Sequence, residues 1–354
     1  MIDIFKSAVQ RGASDVHIKA GDVIRIRIDG VLQPLTQQRL TPAQVEQICR
    51  QLLPTEKDRS QLDTLRDFDC SWGVPGVGRF RVNILRQRGT LMAVLRSIPF
   101  DIPSFEMLRL PPVLARIALS ERGLVLVTGI TGSGKSSTLA AMVGYINQHR
   151  KKHIITLENP IEFLHRDVHS SITQREVTSD TETWDSGLRA ALREDPDVIL
   201  IGEMRDTTTI DTALKAAETG HLVCSTLHTT NAVQTVSRVI SVFPPYEQEM
   251  VRIRLAENLV AVVSQRLLPR KDGKGRIVAA EVMVVTATIR EAILDPLKAP
   301  EIYDLMAEGR EQYGSQTFDQ HLMDLIHEDL VSFEVARAAA NNPSDFELKL
   351  RTLA

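Results

Sequence analysis

Residues 129–136 read Gly129-Ile130-Thr131-Gly132-Ser133-Gly134-Lys135-Ser136, directly after an apolar run at 124–128 and directly before a segment of helical character. No other feature restricts the fold as tightly. Glycines let successive backbone amides turn inward, and a helix N-terminus just beyond adds its positive dipole end, so the turn forms a cradle for phosphate oxygens. Lys135 is placed to bridge the β- and γ-phosphates of a nucleotide and Ser136 to ligate Mg²⁺. Gly129, Thr131, Gly132, Ser133, Gly134 and Ser137 complete the predicted nucleotide contacts, with ATP and Mg²⁺ as the expected ligands.

The surrounding pattern suits such a turn. From Glu121 onward short apolar strands at 124–128, 154–157, 198–201 and 222–227 alternate with helical segments, as in a parallel sheet covered on both faces. Beyond Asn231 the chain reads as mostly helical, apart from a turn at 271–275 and a strand at 277–285. The first hundred residues differ. Alternation at 16–19 and 23–28 puts Ile24, Ile26 and Ile28 on one face, and Asp29-Gly30 marks a tight hairpin turn. Thr41-Pro42 signals a helix start, and strands follow at 68–72, 79–85 and 90–96. This predicts helices on a largely antiparallel sheet. Prolines 99, 103, 111 and 112 punctuate the stretch between the two patterns, which predicts domains at 1–98 and 116–354 with a semi-rigid linker and hinge at 99–115.

Composition narrows the function. With 42 Lys and Arg against 45 Asp and Glu, the net charge of −3 provides no global basic field for nucleic acid. Cys49, Cys70 and Cys224 are far apart, which predicts buried free thiols rather than a disulfide framework or zinc site. No apolar run has the length of a membrane span, so work at a membrane would be peripheral.

Three further segments bear on catalysis. Asp197-Val198-Ile199-Leu200-Ile201-Gly202-Glu203 predicts a buried strand with Glu203 just past its carboxyl end, where ligands sit in open α/β sheets; a carboxylate there can hold the hydration shell of Mg²⁺. Glu158 and Glu162 follow the strand at 154–157 and are placed to polarise an attacking water. In Gly220-His221-Leu222-Val223-Cys224-Ser225-Thr226-Leu227-His228, His228 ends a strand and is placed to report the γ-phosphate, while His221 precedes it. About 20 Å of strand separates the two rings, too far for a shared metal.

Together these four blocks resemble the type II and type IV secretion ATPase superfamily, whose Walker A, Asp box, Walker B and His box occur here, in the family's order, at 129–136, 158–162, 197–203 and 220–228. Within it the pilus-retraction ATPases are the most similar branch, through Ala13-Ser14-Asp15-Val16-His17, Gln174-Arg175-Glu176-Val177, the run 191–197, Ala217-Glu218-Thr219-Gly220-His221 and Glu281-Val282-Met283. The four-cysteine zinc module of many extension and secretion motors is absent. Asn159-Pro160 stands where the family has Asp-Pro. The resemblance implies a PAS-like N-terminal α/β domain, a RecA-like P-loop NTPase C-terminal domain and a homohexamer. It implies a cytoplasmic ATPase, peripheral at the inner membrane, that acts on a pilus platform protein to power type IV pilus retraction and twitching motility. An accessory pilus or type II secretion ATPase is the alternative; a nucleic-acid translocase on the same core fits the charge less well. It further implies Glu162 as the group activating water, with Glu158 and Glu203 around Mg²⁺, although the roles of Glu158 and Glu162 are exchangeable. Of the arginine-rich strands, Arg79, Arg81 and Arg96 are the candidates for reaching a nucleotide across the ring.

Overall fold

The structure, a computed structural model, describes residues 2–28, 30–99 and 101–353, with side chains to residue 350. The chain forms two compact units. One comprises Met1–Asp101 with Pro160–Leu164, the other Ile102–Asn159 with His165–Ala354.

The first unit runs α1 (Ile2–Gln10), β1 (Asp15–Lys19), β2 (Arg25–Ile28), β3 (Val31–Pro34), α2 (Pro42–Leu52), α3 (Glu56–Ser60), β4 (Asp67–Val74), β5 (Gly78–Gln87) and β6 (Thr90–Ile98). Its sheet is antiparallel in the order β3-β2-β1-β6-β5-β4. Ile28 pairs with Val31 across the predicted hairpin turn, where Gly30 has φ +79°; Asp29 lies outside the described residues. The helix predicted after Thr41-Pro42 is α2. The Thr41 hydroxyl accepts from the Gln44 amide, the Gln44 side chain accepts from the Thr41 amide, and Pro42 opens the first turn. Period-two alternation sends Phe80, Val82 and Ile84 of β5 into the core with Phe5, Ile18, Ile26, Val45 and Leu52, and leaves Arg79 and Arg81 on the opposite face. Phe5 is the hub, 4.9 Å from Trp72 and 5.3 Å from Phe80, ring centre to ring centre. Each such buried aromatic contributes about 1.5–3 kcal/mol through surface removed from water.

The second unit runs α4 (Val113–Ala118), β7 (Gly123–Thr128), α5 (Lys135–His149), β8 (His153–Glu158), β9 (Ser171–Glu176), α6 (Trp184–Ala191), β10 (Val198–Ile201), α7 (Thr207–Glu218), β11 (Leu222–Leu227), α8 (Ala232–Ser241), α9 (Gln248–Asn258), β12 (Leu259–Pro269), β13 (Arg276–Val284), α10 (Ala287–Leu294), α11 (Ile302–Glu308), α12 (Arg310–Tyr313), α13 (Phe318–His327), α14 (Phe333–Ala339) and α15 (Pro343–Leu353). The sheet order is β13-β12-β7-β11-β10-β8-β9, parallel except for β13. β7, β10 and β11 are buried at every position. Leu124 and Leu126 enter a core shared with α7–α10, and Val125 and Val127 one shared with α4 and α5, so helices cover both faces. Cys49 and Cys224 are buried and unlinked, and burial pushes both thiols up to about 12.

One expectation needs correction. The region beyond Asn231 contains a long strand, β12, where a mostly helical chain is expected; it pairs with β7 on one side and β13 on the other. The stretch from Ile102 onward contacts mainly the second unit, with Phe105, Leu110 and Leu114 in that unit's core, and Pro112 caps the start of α4.

Candidate active site

β7 lies inside the parallel sheet between β12 and β11, and the phosphate-type turn leaves its carboxyl end. Gly129, Gly132 and Gly134 have φ of +141°, +81° and +95°, which other residues rarely adopt. A Cβ on Gly129 would meet the Gln265 carbonyl oxygen of β12 and the Ser133 hydroxyl, each at 2.5 Å. Gly129→Ala is therefore expected to destabilise the protein by about 2 kcal/mol or more, read as a lowered thermal midpoint; an unchanged midpoint would contradict this packing. The Lys135 ammonium, nearly buried, donates to the carbonyls of Gly129 and Ile130 at 2.8 and 3.1 Å. Among the described residues the buried Ser133 hydroxyl has no hydrogen-bond partner. Such an orphan is costly in isolation and suits a cradle whose partner is a ligand oxygen.

Strand register brings the other predicted groups to the same edge. Thr128 pairs with Leu227, Ser225 with Ile201, and Ile201 with Leu157. His228, Glu203 and Glu158 therefore emerge on the side where Gly129 leaves β7. With strands about 4.8 Å apart, β10 lies about 10 Å from β7 and β8 about 14 Å. Glu203 Oε2 is 2.8 Å from Arg205 Nε and 3.6 Å from His228 Nε2. The backbone before Glu203 is fixed: the Gly202 amide donates to Leu157, and the Thr226 hydroxyl donates to the Gly202 carbonyl at 2.6 Å. Glu158 Oε1 accepts from the Thr156 hydroxyl at 2.7 Å and the Gln174 amide at 3.1 Å.

Glu162, His221 and the candidate arginines are placed by other parts of the fold. Glu162 is exposed and falls in Pro160–Leu164, which folds with the first unit; the Leu164 amide donates to the Pro99 carbonyl there. His221 is not brought to the site. It stands before the amino end of β11, the opposite edge of a parallel sheet, and its Nδ1 lies 2.8 Å from the Ala216 carbonyl at the end of α7. Asp197 is likewise at an amino end. Burial works against its charge, but the His153 amide and Lys152 ammonium outweigh that and hold its carboxyl below the usual range. In the first unit Arg79, Arg81 and Arg96 share the face opposite the aromatic core. Arg81 stands directly across from Arg96, and like charges in that relation repel unless an anion intervenes. Asp15 supplies one, bonded to Arg96 Nε at 2.9 Å. Burial works against the Asp15 charge, yet the Ser14 hydroxyl and Arg96 hold its carboxyl below the usual range.

Sequence reading missed what anchors the turn from β12. Gln265 Nε2 donates to Thr138 of α5 at 2.7 Å, and the Ser264 hydroxyl lies 2.8 Å from that of Thr128. It also passed over Gln174 as a partner of Glu158. The Val-rich run 259–263 was the available signal for β12.

The residues present suit a nucleotide-borne Mg²⁺. That ion keeps several waters and takes one or two protein ligands beside phosphates, and Ser136 with Glu203 offers such a set. Among the described residues no group of three or more His, Cys, Asp or Glu gathers into a protein-built cage.

A phosphate cradle after an interior strand of a parallel sheet, with a buried lysine and carboxylates on the same edge, defines a P-loop NTPase domain of RecA-like fold, here joined to a PAS-like domain. The chain belongs to the type II/IV secretion system protein family, whose profile matches residues 1–339. It is 44% identical to the type IV pilus retraction ATPase PilT of Pseudomonas aeruginosa, over 97% of this chain and 99% of that one. It is 39% identical to the type IV pilus ATPase PilU of the same organism, over 98% of this chain and 90% of that one. Among solved structures it resembles the pilus retraction motor PilT with bound ADP, at a TM-score of 0.89 and 45% identity, covering 98% of both chains.

Proposed function

We propose that this protein hydrolyses ATP to drive type IV pilus retraction, acting as a homohexamer in the cytoplasm against a platform protein of the inner membrane. The observation that carries the ATPase reading is the single sheet edge holding the Gly129 turn, Lys135, Glu203, His228 and Glu158. Near full-length similarity to a pilus retraction ATPase supports the coupling to retraction. Among the described residues no helix is long and apolar enough to cross a membrane.

In this mechanism the turn amides and the Ser133 hydroxyl hold phosphate oxygens, and Lys135 exchanges its carbonyl partners for the β- and γ-phosphates. Ser136 and Glu203 would hold Mg²⁺, which would supply charge neutralisation at those oxygens. Glu162 accepts the proton of the attacking water, Glu158 would support the metal's water shell, and His228 senses whether the γ-phosphate is in place. Arginines of the first unit reach a nucleotide held by a neighbouring copy across the ring, so that nucleotide state sets the angle between units.

Arg81→Ala is expected to lower kcat at least about tenfold while changing ADP affinity far less, as for a cation needed mainly in the transition state. Parallel variants at Arg79 and Arg96 identify which of the three acts. If none separates kcat from affinity, the arginine assignment falls. At the cellular level, deleting the gene should leave cells hyperpiliated and without retraction; loss of pili would point to extension. Normal pili with impaired retraction would favour the accessory reading. Nucleic-acid-stimulated turnover would favour a translocase.

A further inference from the structure

Glu281 is 2% exposed on β13, among Val278, Ala279, Ala280 and Val282. Its neighbour in register on β12 is Ser264, whose neighbour on β7 is Thr128, the last residue before the phosphate turn. Glu281 Oε1 accepts from the Ala232 amide at 2.7 Å. Ala232 opens α8, and Asn231, its N-cap, ends the turn that begins at His228. The backbone amide of Phe318, the first residue of α13, lies near enough to favour the charged form of the same carboxyl group without bonding it. One buried carboxyl group therefore bonds the N-terminus of α8 and faces that of α13.

The start of α13 is itself tied to β13. Val282 and Gln316 exchange backbone hydrogen bonds at 2.8 Å, and Gln316 Nε2 donates to the Ala280 carbonyl. Burial pushes the Glu281 carboxyl up to about 7, although the Ala232 amide and Arg266 of β12 favour its charge; Asp319 of α13 opposes it. Apolar packing gives no reason for a carboxylate here, since a leucine or methionine would fill the space without the desolvation cost of a charge. What the carboxyl group supplies is acceptance of the Ala232 amide and complementarity to the dipole of α8.

We propose that Glu281 is a positioning residue for the turn carrying His228, holding the first amide of α8 from β13, the strand to which the start of α13 is also tied, so that this turn stays fixed beside the end of β7. The proposal rests on the ATPase reading above. It assigns Glu281 no contact with nucleotide.

The test uses the full-length protein with Glu281→Gln. Glutamine keeps the size and a carbonyl acceptor for the Ala232 amide, but it removes the charge and puts an NH₂ donor where the second carboxyl oxygen stood. Expected results are a kcat lowered about tenfold, the scale of coupling within one hydrogen-bonded network, with ADP affinity held within about threefold. Amide hydrogens over 228–233 should exchange faster in nucleotide-free protein. The double variant with His228→Ala should be no slower than the slower single variant. Wild-type turnover in Glu281→Gln, or losses that multiply in the double variant, would overturn the proposal. Should the glutamine variant fail to fold, wild-type exchange decides, because a freely exchanging Ala232 amide rules out the contact. Failure of the wild type to bind nucleotide would instead refute the ATPase reading, and the exchange measurement on nucleotide-free protein keeps the two failures apart.

Discussion

Replacing Lys135 with alanine should reduce phosphate release by about a thousandfold. Its ammonium is almost withdrawn from solvent and satisfied by the carbonyls of Gly129 and Ile130 at 2.8 and 3.1 Å. A charge in that position loses little water when a phosphate arrives, because the protein has already removed most of it. Its interaction with the γ-phosphate then strengthens as charge develops on the transferring group, which no neutral side chain reproduces. ADP affinity should also weaken, about tenfold or more, since one charge-assisted contact to the β-phosphate is lost. Phosphate release and titration with a fluorescent ADP measure the two effects, and an unchanged thermal midpoint would show that the fold survives. Residual turnover above a tenth of the wild-type rate would contradict the role given to Lys135.

Glu162→Gln should trap ATP uncleaved. Glutamine preserves the size and removes only the capacity to take a proton, so turnover should fall by about a hundredfold or more, the usual contribution of a general base. ATP and ADP affinities should stay within about threefold of wild type. The comparison with Glu158→Gln is decisive. Glu158 accepts hydrogen bonds from Thr156 and Gln174, a setting that fixes its orientation and suits support of the metal's water shell. Glu158→Gln should raise the Mg²⁺ concentration needed for half-maximal rate more than it lowers the rate at saturation. If it instead yields the variant that holds ATP intact while Glu162→Gln turns over normally, the two roles are exchanged.

Some elements were legible because local chemistry decides them. Val198-Ile199-Leu200-Ile201 is apolar on both faces, which only a strand covered on both sides tolerates, and β10 is buried at every position. Thr41-Pro42 with Gln44 carries its helix start in three residues. β9 escaped because an edge strand need not be apolar, and Ser171–Glu176 is polar along most of its length. β12 escaped because α9 runs into it without a glycine or proline between. The apolar run after Asn258 suits a buried helix as well as a strand, and backbone pairing with β7 decides between them. His221 shows the limit for a site residue: its place before a strand was readable, but its ring serves the end of α7 instead of the ligand edge.

By itself, the sequence determined that a phosphate-binding turn would join a buried strand to a helix, because glycine spacing, Lys135 and the flanking periodicity act over a few bonds. It also determined that Glu203, Glu158 and His228 would follow strand ends. Tertiary structure alone decided the order of those strands and thus which side chains stand together. It decided that Gln265 anchors α5, that Glu281 lies between two helix N-termini, and that Glu162 folds with the first unit while Glu158 folds with the second. The reason is physical: propensity and capping are set by neighbours along the chain, whereas pairing and the partners of buried charges depend on residues that only the folded backbone brings close.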